Sequence, residues 1–310
     1  MARRIFLPVV LLFASISPAC GLQSLFGSRR QFVATISTAA GTLVSPEPSL
    51  SETDSSLSSK LLSIIPEMKS GAPATNATVS DEKAFEIETF VSRLEETSQQ
   101  RDNVISPILS SGEWRLVYSN APEIVGLAKG LPLGFRLGPT YQPLKTEQGW
   151  FENTARVTNV LAGLRTIVVG TIVPSPKGDV NAAGIINDKN NRVFVNFEAI
   201  VFELDELFGS PLQKPIRKTI APRTPEPGSP LPANDQTYLD ERVRIVRGGD
   251  GSLFVFCKDA RDFLPLSASA RRELLAPVTS SFSTPVGEDL ERARPNEVPA
   301  EIEYLFRDQN

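Results

Sequence analysis

The stretch TYLDERVRIVRGGDGSLFVF, residues 237–256, decides the fold of this 310-residue chain. Charged and apolar residues alternate along RVRIV and SLFVFC with the two-residue period of β-strands. The Asp-Gly pair at 250–251 lies between them and is a strong turn signal. We therefore predict a β-hairpin. Arg242 and Arg244 lie on one face of its first strand and Val243 lies on the other.

Working outward from this hairpin, other segments repeat the two-residue period. They are GEWRLVYSN (112–120), GWFENTARVTN (149–159), LRTIVVGTIV (164–173), AAGIIND (182–188) and RVFVNFEAIVFEL (192–204). The last two form a predicted hairpin around residues 189–191. Short strands without intervening helices indicate an all-β antiparallel barrel or sandwich, and about eight strands would close a barrel wide enough for one small ligand.

One amphipathic helix precedes the strands. Its apolar stripe recurs at helical spacing and consists of Ile87, Phe90, Val91 and Leu94. Ser80 or Asp81 can cap its start. We expect this helix to plug or flank the barrel.

Two segments interrupt the strand pattern. Residues 126–143 are rich in Gly and Pro and predict a lid-like loop with a short edge strand. Residues 209–236 hold seven prolines, so this insertion cannot be a central strand. Its basic residues are most simply a solvated surface, and the alternative is contact with anionic lipid head groups.

The N-terminal region has the composition of a targeting leader. Residues 1–20 combine two arginines with a 12-residue apolar run and predict a signal peptide. Residues 21–45 lack acidic residues and predict a plastid transit peptide. A twin-arginine motif at 28–33 would direct the chain to the thylakoid lumen, although two arginines are also expected in any transit peptide. Residues 46–79 predict a linker.

Composition excludes several mechanisms. The chain contains no histidine, which excludes Ser-His-Asp and Cys-His catalysis and histidine-ligated metal sites. The net charge of −4 and the absence of a basic stripe argue against nucleic acid as a partner. We predict neither a cofactor nor a metal, and we predict Cys257 to be a buried apolar residue.

Three pieces of the sequence carry a resemblance to a known family. They are GEWRLVYS (112–119), Phe151-Glu152-Asn153, and TYLDERVRIVRG (237–248) with Leu253-Phe254-Val255. The region 80–257 resembles the plastid lipid-associated protein, or fibrillin, family. The resemblance implies a lipocalin-like barrel in plastids, at plastoglobules or thylakoids, that binds or shelters quinones, carotenoids or related lipids. The extension 258–310 continues beyond the family's usual end, and SASARRELLA within it predicts a short helix capped by Ser267.

The leading hypothesis is therefore a non-catalytic barrel that binds an apolar isoprenoid or lipid. The predicted lining consists of Trp114, Tyr118, Phe151, Phe197, Phe254 and Phe256. Arg244 either anchors a ligand carbonyl or phosphate or belongs to a scaffold of acids and arginines at the rim. In the scaffold interpretation Asp240 pairs with Arg244 or Arg247, or with a basic group on a neighbouring strand.

Two other functions remain open. The protein could be structural, coating lipid droplets or a membrane surface, or an accessory factor for a prenylquinone-biosynthesis enzyme, with its barrel filled by side chains. It could also be an enzyme acting on lipids, which would have to use carboxylates, Lys, Tyr, Ser or Cys257 in place of histidine.

Overall fold

The computed structural model describes residues 54–99, 110–222, 230–258 and 266–275. These residues fall into two compact units that divide after residue 265. The predicted signal peptide, the transit peptide with its twin-arginine motif and the C-terminal extension beyond residue 275 lie outside the described residues.

Ten strands and four α-helices make up the described part of the chain. The strands are β1 Ala74–Thr75, β2 Gly112–Ser119, β3 Arg136–Lys145, β4 Trp150–Thr158, β5 Ala162–Pro174, β6 Arg192–Leu207, β7 Ser210–Ile220, β8 Ala233–Leu239, β9 Val243–Gly248 and β10 Leu253–Cys257. The helices are α1 Asp54–Ile64, α2 Asp81–Gln99, α3 Pro122–Lys129 and α4 Ala268–Leu275, with single 3₁₀ turns at Pro132–Gly134 and Thr146–Gln148.

Eight of these strands close into an antiparallel barrel. The order around the ring is β2-β10-β9-β8-β6-β5-β4-β3, and β3 pairs with β2 again. The prediction of an all-β, lipocalin-like barrel is confirmed. Strand β1 adds in parallel to β2, and β7 pairs with β6 outside the ring.

The opening hairpin has the register that its alternation predicts. Phe256 pairs with Arg244, and both side chains lie inside the barrel. Val255 pairs with Ile245, and both pack on the outer face with the helices. The turn between the strands places Gly251 at a φ of +87°, a backbone conformation that favours glycine.

Helix α2 flanks the barrel on its outer face. Ile87, Val91 and Leu94 are fully buried against β8, β9 and β10, and the Ser80 hydroxyl accepts a hydrogen bond from the Lys83 amide at the helix start. Helix α1 packs beside α2 and lies within the segment that the sequence assigns to a linker. Leu61 of α1 is fully buried in the same cluster, so a short apolar stripe suffices to make this segment part of the fold.

The strand predicted at 182–188 is wrong. Only an isolated bridge between Val180 and Ile186 occurs there, and residues 175–191 form a loop between β5 and β6. The Asn181 side chain accepts hydrogen bonds from the backbone amides of Ala183 and Ile185. These side-chain bonds replace the strand ladder that the apolar residues suggested.

The two Gly- and Pro-rich segments are more regular than predicted. Residues 126–143, predicted to be a lid-like loop with a short edge strand, instead contain the end of α3 and most of β3, which is a ten-residue strand of the closed ring. Pro139 lies where the β3–β4 register shifts, between Leu137 and Thr140, so its missing amide breaks no regular ladder. Much of the insertion 209–236 is β7, an edge strand that pairs with β6 alone and therefore tolerates prolines.

The second unit is described only at its helix. Helix α4 begins after Ser267, whose hydroxyl accepts a hydrogen bond from the Ala270 amide at 3.1 Å. This is the N-cap expected for the SASARRELLA segment.

Candidate functional site

The barrel interior near the start of β2 has an aromatic wall. Phe254 and Phe256 stack along β10 with ring centroids 6.5 Å apart, and Phe151 meets Phe197 edge-on at 6.0 Å. Trp114 is fully buried and donates its indole N–H to the Ser110 carbonyl at 2.7 Å. The structure thus places five of the six predicted lining aromatics inside the barrel.

Tyr118 is the exception among the predicted lining residues. The register between β2 and β10 shifts between the Val255–Tyr118 pair and the Phe256–Leu116 pair. This bulge turns Tyr118 to the outer face, where its hydroxyl donates to a Glu88 carboxylate oxygen of α2 at 3.1 Å. Burial, together with Glu88, raises the pKa of Tyr118. Simple alternation from Trp114 therefore gave the wrong face for this residue.

Arg244 is the one described cation whose side chain lies deep in this aromatic interior. It is 5 % exposed, and its guanidinium carbon lies 4.4 Å from the centroid of Phe256 and 5.4 Å from that of Trp114. Among the described residues no carboxylate pairs with it, and its Nε has no hydrogen-bond partner. Burial lowers the pKa of Arg244 to about 9, so it stays protonated at neutral pH.

A short polar chain continues from Arg244 across the interior. The Arg244 guanidinium donates to the Gln142 side-chain oxygen, and the Gln142 amide donates to Asn153 at 2.7 Å. Sequence reasoning missed Gln142 and Asn153. Gln142 lay in a segment predicted to be a loop, whereas Asn153 alternates with Phe151 and could have been assigned to the inner face.

The cavity beside Arg244 is small. Its volume is about 40 Å³, and its lining combines apolar strand residues with the polar side chains of Ser110, Gln142, Asn234 and Gln236. A space of this size holds a water molecule or two, whereas pockets for drug-sized ligands span about 300–1,000 Å³. In this conformation side chains therefore largely fill the space beside Arg244.

Helix α3 closes the barrel beside this interior. Ile124 packs partly buried against the aromatic cluster, and Leu127 packs against a second apolar cluster farther along the interior. The helix begins at Ala121 without a side-chain cap and ends at Gly130, whose φ is 137°. Ile124 and Leu127 are therefore the side chains by which this helix joins the two apolar clusters.

The predicted rim residues do not pair with each other. The Asp240 carboxylate accepts hydrogen bonds from the backbone amides of Arg242 and Val243 and from the Tyr238 hydroxyl, so it closes the turn between β8 and β9. Arg247 binds Glu95 of α2 through two hydrogen bonds of 2.8 and 2.9 Å. The proposed pairing of Asp240 with Arg244 or Arg247 is wrong.

A second, larger cleft lies outside the barrel between α2 and the strands. Its volume is about 280 Å³, and it is lined by Glu95, Lys189 and Arg247 among others. Arg247 and the Thr237 hydroxyl already bind the Glu95 carboxylate. Its central charges are therefore satisfied within the protein, in contrast to Arg244.

Two more properties of the described residues bear on the site. No group of three or more histidine, cysteine, aspartate or glutamate side chains among them could hold a metal ion. No described helix is both long and apolar enough to cross a membrane.

Comparison with known proteins gives one match. A family model described as PAP_fibrillin matches residues 55–257, which is more than half of the chain and covers the described residues from α1 to β10. No curated protein and no solved structure matches the chain.

Proposed function

The chain belongs to the PAP_fibrillin family, and we propose that its barrel binds the polar head of an apolar isoprenoid or related lipid. Members of the family are generally non-catalytic, lipid-associated proteins of plastids, which supports a lipid-associated role and a plastid location at that coarse level. The plastoglobule or thylakoid surface as the site of action, and a quinone or carotenoid as the ligand, are parts of our proposal.

The unpaired Arg244 carries this proposal. A buried cation without a carboxylate is costly unless another acceptor satisfies it. A quinone carbonyl, a carboxylate or a phosphate oxygen beside Arg244 and Gln142 would supply that acceptor. The rings of Trp114, Phe254 and Phe256 would contact the ring or chain of the same molecule.

Entry of such a molecule requires the barrel to open. A cavity of about 40 Å³ is smaller than any quinone ring, so the ligand must displace side chains. Helix α3 is the element best suited to move, because it lacks an N-cap bond and contributes only Ile124 and Leu127 to the interior clusters. We propose that α3 swings out and the ligand head takes the place of these side chains.

The small cavity also favours a second candidate function. If the interior stays filled, the protein acts through its surface, as a structural coat on lipid droplets or as an accessory factor for a prenylquinone-biosynthesis enzyme. Arg244 would then keep Gln142 and the two aromatic rings as its partners, with no described carboxylate beside it.

A fluorescence titration separates the two candidates. A benzoquinone with a short isoprenoid tail should quench the emission of Trp114 saturably in a Trp150→Phe background, because Trp114 lies in the proposed site. Arg244→Met removes the charged donor and should weaken binding roughly 10- to 100-fold. Arg242→Met is the matched control, since Arg242 is exposed and bonds to Ser59 outside the barrel.

Two results would overturn the ligand-binding proposal. One is a titration without saturable quenching, together with native protein that yields no lipid to mass spectrometry. The other is an Arg244→Met variant that binds as tightly as the unchanged protein. Either result would leave the accessory function as the better account of the barrel.

A further inference from the structure

Four exposed apolar residues meet at one end of the barrel, opposite the loop 175–191. They come from three different connections, between α3 and β3, between β4 and β5, and between β6 and β7. The side chains of Leu133, Val160, Leu161 and Phe208 are 61, 90, 49 and 77 % exposed. We call this set the apolar tip.

Hydrogen bonds of the backbone and of the Asn159 side chain connect the parts of the apolar tip. The Phe208 amide donates to the Leu161 carbonyl at 2.7 Å, and the Asn159 side chain donates to the Leu133 carbonyl at 3.1 Å. Asn159 also accepts bonds from the amides of Leu161 and Ala162. The three connections are therefore joined to one another by hydrogen bonds and lie side by side.

The backbone of the apolar tip is unfavourable for the residues that occupy it. Phe208 and Gly209 are the two central residues of the β6–β7 hairpin, and both have positive φ, 50° and 73°. A turn of this kind strongly prefers Asn-Gly, because a bulky residue at positive φ is strained. Leu133 repeats the pattern, with a φ of 61° before Gly134. Large apolar side chains are thus kept where local structure favours small polar ones.

The charge around the apolar tip is positive. Lys129 and Arg136 flank the Leu133 connection, and both are exposed. The acids on the other side, Asp205 and Glu206, are both bound by Arg156 at the end of β4. With Lys129 and Arg136, these three basic and two acidic side chains carry a net charge of +1, and the two exposed cations lie beside the apolar side chains. Such a surface complements anionic head groups above an apolar layer.

We propose that the apolar tip inserts into a lipid–water interface that carries anionic head groups. Phe208, Val160 and Leu133 enter the acyl region, and Lys129 and Arg136 contact the head groups. The proposal rests on the proposed function only in its choice of a lipid surface as the partner. It assigns the contact to the turn that leads into β7, and not to the basic side chains farther along the insertion 209–236.

Quenching by brominated lipids tests the location of the contact. The full-length chain carrying Phe208→Trp in a Trp114→Phe and Trp150→Phe background, which leaves a single tryptophan, is mixed with vesicles of phosphatidylcholine and phosphatidylglycerol whose acyl chains are brominated. The control variant below is prepared in the same background. Emission from the introduced side chain should be quenched, because bromine quenches only at contact within the acyl layer. Phe85→Trp is the matched control, since Phe85 is 76 % exposed, nearly the same as Phe208, but lies on α2. Equal quenching of both variants, or quenching of Phe85→Trp alone, refutes the proposal.

A second variant separates docking from folding. Phe208→Asn creates the preferred Asn-Gly turn, so the hairpin should be at least as stable while vesicle binding falls roughly 10- to 100-fold. Phe85→Asn and Ile186→Asn, the latter at the opposite end of the barrel, should bind nearly unchanged. Equal loss in these controls would mean non-specific adsorption. A dimer that Phe208→Asn dissociates, without any loss of vesicle binding, would make the apolar tip a contact between copies of the chain and overturn the proposal.

Different variants test the apolar tip and the interior site around Arg244, so one proposal can fail while the other holds. Arg244→Met should leave the brominated-lipid quenching of the Phe208→Trp background unchanged, because the interior does not contact the acyl layer. Phe208→Asn should leave quinone quenching of Trp114 unchanged in detergent solution. Each experiment therefore tests one of the two surfaces.

Discussion

Two buried arginines of the same barrel should respond in opposite ways to the same substitution. Arg192 is 1 % exposed and binds Asp235 through two hydrogen bonds of 2.6 and 2.9 Å, and it also bonds to Asp179 and to the carbonyl of Ile185. Arg244 is 5 % exposed, and among the described residues its partners are Gln142 and two aromatic rings. Replacement of each by methionine keeps an apolar side chain of similar length and removes the charge.

The structure gives the magnitude for Arg244→Met. A fall of the pKa from 12.5 to about 9 corresponds to a desolvation cost of about 5 kcal/mol, which the variant recovers. It loses about 2 kcal/mol of cation–π contact with Phe256 and Trp114, and about 2 kcal/mol from the charged hydrogen bond to Gln142. The free energy of unfolding should therefore rise by about 1 kcal/mol, and Tm by about 2–4 °C.

Arg192→Met should destabilise the protein strongly. It leaves Asp235 buried without its partner, which costs about 3–5 kcal/mol. It also weakens the pairing of β6 with β8, where Arg192 lies opposite Asp235. The Tm should fall by roughly 10 °C. Urea unfolding and calorimetry of both full-length variants at neutral pH provide the comparison. If Arg244→Met lost as much stability as Arg192→Met, the interior charge would have a compensating partner and the argument for a ligand would fail.

Two further predictions concern the barrel wall and its pH response. A Cβ at Gly170 would lie 2.5 Å from the Asn196 carbonyl oxygen and 2.6 Å from the Phe151 ring, so Gly170→Ala should lower the free energy of unfolding by about 1–3 kcal/mol. Gly126 on α3 has open space around it, so Gly126→Ala should raise the free energy of unfolding by about 0.5–1 kcal/mol. Urea titrations of both variants measure these changes. Burial raises the pKa of Tyr118, so above about pH 10 the unfolded chain releases a proton that the folded chain retains. Stability should therefore fall progressively as the pH rises from about 10 toward the raised pKa of the folded protein, and it should fall less steeply for Tyr118→Phe. An equal slope for both proteins would contradict this prediction.

The sequence determines the wall of the barrel better than its ends. The hairpin at 242–257 and the helix at 81–99 could be predicted because charged and apolar residues alternate with a clear period. The faces of Arg244 and Phe256 follow from that period alone. Tyr118 could not be placed, because a bulge inverts the face without any Gly or Pro to signal it.

The sequence alone did not predict which partners the charged residues bind. Asp240 lies near two arginines in the sequence but accepts hydrogen bonds from backbone amides. Arg247 binds Glu95, which lies on helix α2, far away in the sequence. Pairing across a barrel depends on register and on helix placement, which a single strand does not contain. For the same reason the absence of a described acid beside Arg244 became visible only in the structure.

The two proposed sites share a physical signature. In most proteins the turn residues, the core packing and the placement of charges all favour the same fold, and exceptions concentrate at functional sites. Arg244 places a charge inside an aromatic interior without a described counter-charge, and Phe208 places a phenyl ring where the turn prefers asparagine. Each arrangement costs folding free energy in the isolated protein, and each cost disappears when lipid is present, as a polar head beside Arg244 or as an acyl layer around Phe208. Lipid should therefore raise Tm in the unchanged protein, by less in either Arg244→Met or Phe208→Asn, and not at all in the variant that carries both substitutions.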